Sequence, residues 1–206
     1  MKITLKQGYH AFVNRRKVAD AKVHTDVLVA VEAWMRENYA YRLGNFVHAA
    51  CAAVDGHAIL LPGESHTGKS TIVASIVRLG ARYCSDELAE VRTAGVGTYP
   101  KPLYLRPPGV KNDTRKVVYL QEKEVAPDST YPVSVITFPK IGAKDRLVNI
   151  PRPEALARLA SRFLCKTLSY RQLELLKRIV LGSRTYTLEW CDPGAAASLA
   201  IEAGSG

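Results

Sequence analysis

The sequence is poor in cysteine, tryptophan and acidic residues. It holds four cysteines and two tryptophans among 206 residues. The cysteines, at positions 51, 84, 165 and 191, form no C-x-x-C pair and no metal-ligand spacing. They therefore predict neither a metal site nor a disulfide framework, and we expect buried free thiols.

Long apolar runs and internal repeats are also missing. No stretch approaches the roughly 18 consecutive apolar residues that cross a bilayer. The first six residues lack the apolar core and cleavage site of a signal peptide. We therefore expect a cytoplasmic protein with no membrane partner. Its apolar content of 47% and charged content of 23% are ordinary for one globular core.

The shortage of acids leaves a formal net charge of +10. Such an excess attracts polyanions, including nucleotides, nucleic acids and acidic peptides. Because no nucleic-acid-binding motif accompanies it, DNA is not an expected partner.

Alternating strand and helix patterns predict an α/β fold. An Asp55-Gly56 dipeptide between two apolar runs is typical of a two-residue hairpin turn. Prolines make residues 99–108 a loop or an edge strand. The predicted strands are 45–54, 57–61, 82–84, 133–138 and 184–189. The predicted helices are 27–35, 71–79, 153–164, 170–181 and one from about 194.

Residues 63–70 match G-x-x-x-x-G-K-[ST], the phosphate-binding loop. Glycines let consecutive backbone N–H groups surround phosphates, and the following helix adds its positive dipole end. Lysine then reaches the β- and γ-phosphates, while the serine hydroxyl binds Mg²⁺. A predicted strand before the motif and a helix after it give the context that this motif requires. The predicted nucleotide-binding residues are Gly63, Glu64, Ser65, His66, Thr67, Gly68, Lys69, Ser70 and Thr71.

An acidic pair, Asp86 and Glu87, follows at the end of the next predicted strand. No N-K-x-D motif and no ABC-type signature loop is present, so a GTPase and an ABC ATPase are both disfavoured. Asp86 suits a catalytic base, with a helix N-cap or a Walker-B-type Mg²⁺ ligand as its alternatives. Glu87 suits a metal-site acid or a solvent-facing one. His48 lies in an apolar run, where a structural, hydrogen-bonded histidine is the alternative to a functional one.

This loop, the short spacing to Ser-Asp-Glu, and His48 ahead of Gly63 resemble the C-terminal catalytic domain of HPr kinase/phosphorylase. The match covers residues 48–91. A looser one extends to short HPr-kinase-related proteins, some of which phosphorylate lasso-peptide precursors. The resemblance implies a P-loop kinase core that transfers the γ-phosphoryl group of ATP, with Mg²⁺, to a serine of a peptide or small protein.

The same resemblance implies roles for individual residues. Asp86 matches the catalytic aspartate, Glu87 a metal-site acid together with Ser70, and His48 the histidine that positions the aspartate. Lys69 completes the predicted catalytic set. The chain lacks the N-terminal domain of the bifunctional enzymes and their Glu-Ile-Arg-Gly-Leu-Gly motif. Of their two activities, the resemblance therefore implies the kinase activity. A homo-oligomer is possible, and the reverse phosphorylase activity is left open.

Two other functions stay open: a small-molecule or phosphoenolpyruvate-carboxykinase-like P-loop enzyme, and a non-catalytic nucleotide-binding module. We expect residues 1–45 to form an N-terminal extension of strand and helix that packs on the core. Residues 46–203 would form the kinase domain and residues 204–206 a disordered tail.

Basic residues outside the loop have two interpretations. Arg106, Lys111 and Arg115 can grip the γ-phosphate or an acidic substrate, or can belong to a solvated loop. His66 is interpreted as a variable loop residue. A second group is interpreted as the outer faces of amphipathic helices, namely Arg158, Arg162, Arg171, Lys177 and Arg178.

Overall fold

The computed structural model describes residues 3–6, 10–13, 16–20, 34, 44–99, 101–105 and 116–205. The chain divides into two compact units, Met1–Gly44 with Leu164–Lys166 and Asn45–Phe163 with Thr167–Gly206. In the first unit, β1 (Ile3–Lys6), β2 (His10–Val13) and β3 (Arg16–Asp20) form an antiparallel sheet in that order. The predicted helix 27–35 lies outside the described residues except for Trp34, which is helical.

The second unit is built on a mixed six-stranded sheet. The strands are β5 (Ala49–Val54), β6 (His57–Pro62), β7 (Arg82–Ser85), β13 (Val133–Ile141), β14 (Arg146–Asn149) and β15 (Arg184–Trp190). Their order in the sheet is β14-β15-β13-β6-β5-β7, and β13 runs parallel to both β6 and β15 while the other pairs are antiparallel.

The turn between β5 and β6 confirms the predicted hairpin. Val54 pairs with His57, and both intervening residues have positive φ, 48° at Asp55 and 79° at Gly56. This is the backbone of a type I′ turn, whose twist matches the twist of the paired strands.

Four helices of the described part of this unit cover the sheet, and the α/β class is confirmed. They are α1 (Lys69–Arg78), α2 (Arg152–Ala160), α3 (Tyr170–Gly182) and α4 (Pro193–Ser205). Buried residues of α1 and α4 share one apolar cluster with Leu188 and Trp190 of β15. Arg158 of α2 instead donates to Thr187, which points to the opposite face because strand side chains alternate. The helices therefore form a layer on each face.

A second, smaller sheet lies beside one end of the first and was not predicted. Its strands are β4 (Phe46–Val47), β8 (Ala89–Arg92), β9 (Gly95–Gly97) and β12 (Thr130–Tyr131). They are antiparallel in the order β12-β9-β8-β4. The proline-rich segment supplies β10 (Leu103–Leu105), which pairs with β11 (Lys116–Val118).

Two expectations are wrong. Helix α4 continues to Ser205, so Gly204 and Ser205 are helical and do not begin a disordered tail. Of the four thiols, Cys51 and Cys84 are buried as expected, but Cys165 is half-buried and Cys191 is exposed. Among the described residues, no helix has the length and apolar character needed to cross a membrane.

Candidate phosphate-binding site

The loop between β6 and α1 curls tightly on itself. The Lys69 ammonium donates to the carbonyl oxygen of Glu64 at 2.7 Å, and the Thr67 hydroxyl donates to the same oxygen at 2.9 Å. A Cβ atom at Gly63 would stand 2.7 Å from the Thr67 hydroxyl. Gly68 has a φ of +92°, in the left-handed region that favours glycine. The sequence motif therefore folds into a closed turn that ends at the N-terminus of a ten-residue helix.

A carboxylate faces this helix N-terminus from the end of β7. Ser70 Oγ donates to Asp86 Oδ1 at 2.9 Å, and Asp86 is only 1% exposed. Lys101 Nζ lies 4.0 Å from Asp86 Oδ2. These three residues and Lys69 line one cavity of about 240 Å³. The loop serine and the predicted acid are thus in direct contact.

His48 and Glu87 meet because the chain crosses between the two sheets twice at the same place. His48 stands between β4 and β5, and Glu87 between β7 and β8. Since β5 pairs with β7 and β4 pairs with β8, the two connecting segments must be neighbours. His48 Nε2 donates to Glu87 Oε2 at 2.6 Å. His48 was expected to position Asp86, and its ring bonds the neighbouring acid instead.

The backbone around this pair is constrained. Glu87 has a φ of 76°, uncommon for a residue other than glycine. The backbone N–H of His48 donates to Arg162 O, and His48 O accepts from the N–H of Gly63. A conformation of this kind persists only where the surrounding contacts enforce it. Here the contacts hold the imidazole and the carboxylate beside the start of the loop.

The electrostatics of Glu87 follow from its surroundings. Burial opposes ionisation of the carboxyl group. The hydrogen bond and electrostatic attraction of His48, with the charges of Lys69 and Lys101, outweigh it and lower the pKa of Glu87 from 4.5 to about 2. Glu87 is therefore an ionised, half-buried acid and not a solvent-facing one.

Stability of the protein is expected to depend on Glu87 in acid. Because the folded pKa lies below the unfolded value, the ionised carboxylate stabilises the fold above pH 4.5, and the contribution is lost as the pH falls toward 2. The shift corresponds to about 3 kcal/mol at most, at 1.36 kcal/mol per pKa unit. Urea unfolding of wild type and Glu87→Gln between pH 6 and pH 3 measures it.

The Glu87→Gln variant should show a shallower loss of stability over that range than wild type. His48→Ala should reduce the same loss, since it removes the hydrogen bond to the carboxylate. Equal slopes for wild type and Glu87→Gln would contradict the account of this pair.

Trp190, at the end of β15, packs against the loop. Its indole Nε1 donates to Thr67 O at 3.1 Å. A Cβ atom at Gly68 would stand 2.0 Å from Cζ2 of the indole. The close approach of loop and indole therefore requires glycine at this position.

We expect Gly68→Ala to destabilise the protein more than Gly80→Ala does. Both positions have positive φ, but a Cβ atom at Gly80 would meet nothing within 4 Å. Gly80→Ala should cost about 1–2 kcal/mol through backbone strain alone. Gly68→Ala should cost about 3 kcal/mol or more, because the methyl group also collides with Trp190. Equal losses in urea unfolding would show that Trp190 does not pack on the loop.

Arg162 was interpreted as part of an outer helix face, and this is wrong. Its guanidinium donates to Glu64 Oε1 of the loop at 2.9 Å. Arg158 also has partners, Thr187 and the ring of Phe138. The sequence does not distinguish a basic residue on the outer face of a helix from one that bonds the loop. The role of Arg162 was therefore not predicted. Sequence reasoning missed Lys101 as well, because it named Arg106, Lys111 and Arg115 as the candidate cations of this part of the chain.

The structure brings most of the predicted site residues together. The predicted residues that line the cavity are Ser65, His66, Gly68, Lys69, Ser70, Thr71, Asp86 and Glu87. Gly63 and Thr67 shape the loop, whereas the Glu64 side chain turns to Arg162. His48 contacts Glu87 at the edge of the site. Arg106, Lys111 and Arg115 lie outside the described residues.

A magnesium ion fits this donor set. Within the described ranges no group of three or more His, Cys, Asp and Glu can hold a metal ion. Mg²⁺ in phosphate sites needs no such group, because one or two protein oxygens and the substrate phosphates suffice. The bonded oxygens of Ser70 and Asp86 are ligands of the required kind, and Glu87 lines the same cavity.

No protein-family profile matches this sequence, and no curated protein matches it.

Proposed function

We propose that the protein is a Mg²⁺-dependent P-loop kinase that transfers the γ-phosphoryl group of ATP to a serine hydroxyl of a peptide or small protein. The observation that carries the proposal is the hydrogen bond from Ser70 to Asp86 in the cavity that Lys69 lines. This bond joins the hydroxyl that holds Mg²⁺ in phosphate loops to a buried carboxylate beside it. The resemblance to HPr kinase supports the choice of a serine acceptor.

Phosphoryl transfer depends on positioning and on charge neutralisation more than on covalent help from the protein. The curled loop presents backbone N–H groups and the N-terminus of α1 to the phosphates, and Lys69 neutralises charge on the β- and γ-oxygens. When bound, Mg²⁺ neutralises charge that develops on the same oxygens. Ser70 and Asp86 would hold it, with Glu87 beside them.

The acceptor hydroxyl oxygen forms a bond to the γ-phosphorus while the bond to the bridging oxygen breaks and ADP departs. Asp86 can serve this step in two ways, as the acceptor of the hydroxyl proton or as a ligand that orients Mg²⁺. Glu87, held ionised by His48, adds negative charge on the metal side. ATP and Mg²⁺ are available in the cytoplasm, so the predicted location agrees with the proposed reaction.

Mass spectrometry tests the proposal. The protein is incubated with ATP labelled at the γ-phosphate, Mg²⁺ and a mixture of serine-containing peptides, including peptides that end in serine. We expect one phosphoryl group on a peptide serine with the wild-type protein and none with Lys69→Ala. In a parallel incubation with added cell extract, label on a metabolite and on no peptide would instead indicate a small-molecule kinase. Bound ATP without any transfer would indicate a nucleotide-binding module.

A further inference from the structure

Lys101 reaches the phosphate site through a strand-like contact. Tyr99 donates its backbone N–H to Cys84 O and forms a parallel bridge with Ser85. The chain therefore follows the end of β7 and carries Lys101 beside the residues that come after Ser85. Pro102 favours extended backbone at Lys101, which keeps the segment open at this point.

The Lys101 ammonium is held on two sides. It lies 4.7 Å from the centroid of the Tyr104 ring and 4.0 Å from Asp86 Oδ2. Ser70 donates to the other oxygen of the same carboxylate, Oδ1. The Lys101 side chain is 11% exposed, so its charge is largely withdrawn from water. A cation is retained in such a place only where anionic or aromatic groups compensate for the lost hydration.

The lysine and carboxylate charges that line the cavity are equal in number before any ligand binds. The ionisable side chains that line it include two lysines, Lys69 and Lys101, and two carboxylates, Asp86 and Glu87. A nucleoside triphosphate brings several further negative charges, which Lys69 and one Mg²⁺ do not balance. Lys101 lies beside Oδ2 of the Asp86 carboxylate, whereas Ser70 donates to Oδ1.

We propose that Lys101 is a second phosphate-binding cation, which contacts the terminal phosphoryl group of a nucleoside triphosphate and so distinguishes a triphosphate from a diphosphate. The proposal rests on the proposed function insofar as the cavity binds a nucleotide. Lys69 approaches the phosphates from the loop, and Lys101 approaches them from the segment that follows the end of β7. The negative charge on the oxygens of the terminal phosphoryl group is then neutralised by two lysine cations, as transfer of that group requires.

The alternative role for Lys101 is that of a counterion that only stabilises Asp86. The two roles differ in what they predict for binding. A counterion would affect ADP and a triphosphate equally, because both use the site around Ser70 and Asp86. A contact to the terminal phosphoryl group affects the triphosphate alone.

Isothermal titration calorimetry separates these roles on the full chain in Mg²⁺, with ADP and the non-hydrolysable β,γ-imido analogue of ATP as probes. We expect Lys101→Met to weaken binding of the analogue about 10-fold or more and binding of ADP less than about 2-fold, as for loss of one charge-assisted contact. Lys101→Arg should keep most of the preference for the analogue, because it keeps the charge. Lys177→Met, which alters an exposed lysine of α3, is the matched control and should change neither affinity.

Equal weakening for both probes, or no weakening, would overturn the proposal. If Lys101→Met does not fold, Lys101→Gln provides the same comparison with a polar tip next to Asp86. A wild-type protein that binds neither probe would overturn both this proposal and the proposed function. Selective loss of analogue binding in a protein that transfers no phosphoryl group would support the role of Lys101 and contradict the kinase.

Discussion

Lys69→Ala is expected to abolish phosphoryl transfer. Lys69 is 3% exposed, its ammonium group donates to Glu64 O of the loop, and the residue lines the cavity with Ser70. A charge placed in this way acts on the transferred group in a site where water does not compete. We expect the rate of transfer to fall at least about 10³-fold and the affinity for ATP to fall about 10-fold. Quenched-flow assays measure the rate, with an unphosphorylated peptide that the wild-type protein is found to phosphorylate.

The matched control for Lys69→Ala is Lys177→Ala. Lys177 is half exposed on α3 and bonds Glu174 within the same helix. The control should keep the wild-type rate. A Lys69→Ala variant that folds, as judged by circular dichroism, and keeps more than about a tenth of the wild-type rate would contradict the role given to this lysine.

Asp86→Asn is expected to separate binding from transfer. The substitution keeps the shape of the side chain and removes its charge, next to the Ser70 hydroxyl and the Lys101 ammonium. We expect ATP binding to stay within about threefold of wild type and transfer to fall about 10²–10⁴-fold. Parallel measurement of ATP affinity and transfer rate tests this difference. Asp128→Asn, at an 84% exposed carboxylate, is the control and should change neither quantity.

A magnesium titration then decides between the two roles of Asp86. If Asp86 orients Mg²⁺, Asp86→Asn should need a higher Mg²⁺ concentration for transfer. It should recover part of the wild-type transfer rate at that higher concentration. If Asp86 accepts the hydroxyl proton, the rate should stay low at every Mg²⁺ concentration. A variant that keeps the wild-type rate at ordinary Mg²⁺ would exclude both roles.

Local signals allowed much of the main sheet to be predicted. The Asp55-Gly56 turn and the glycines around the phosphate motif both act within a few residues. The structure places β5, β6, α1, α3 and β15 close to their predicted positions. These elements were accessible because turn and capping preferences depend on neighbours in the sequence.

The second sheet was not predicted because its strands are short and depend on distant partners. Strand β4 has two residues and pairs with β8, more than forty positions away. The apolar run around His48 was therefore interpreted as one continuous strand. The structure breaks that run at His48, where the chain passes from one sheet to the other. This break explains why the imidazole meets Glu87 and not Asp86.

The sequence also did not predict three supporting residues of the candidate site. Trp190 reaches the loop from β15 and Arg162 reaches it from the end of α2, whereas Lys101 reaches Asp86 from the segment beside β7. None belongs to a motif, and each arrives through tertiary packing alone. The prolines around Lys101 were the one sequence signal for its position. They predict an extended segment after Asp86 and Glu87, and such a segment can run alongside β7.

Equilibrium dialysis against radiolabelled ATP in Mg²⁺ tests most directly whether the loop from Gly63 to Ser70 is a nucleotide site. We predict saturable binding of one ATP per chain to the wild-type protein and a large loss of that binding in Lys69→Ala at the same ATP concentration. Absence of bound ATP in the wild-type protein, or equal binding by Lys69→Ala, would contradict the account.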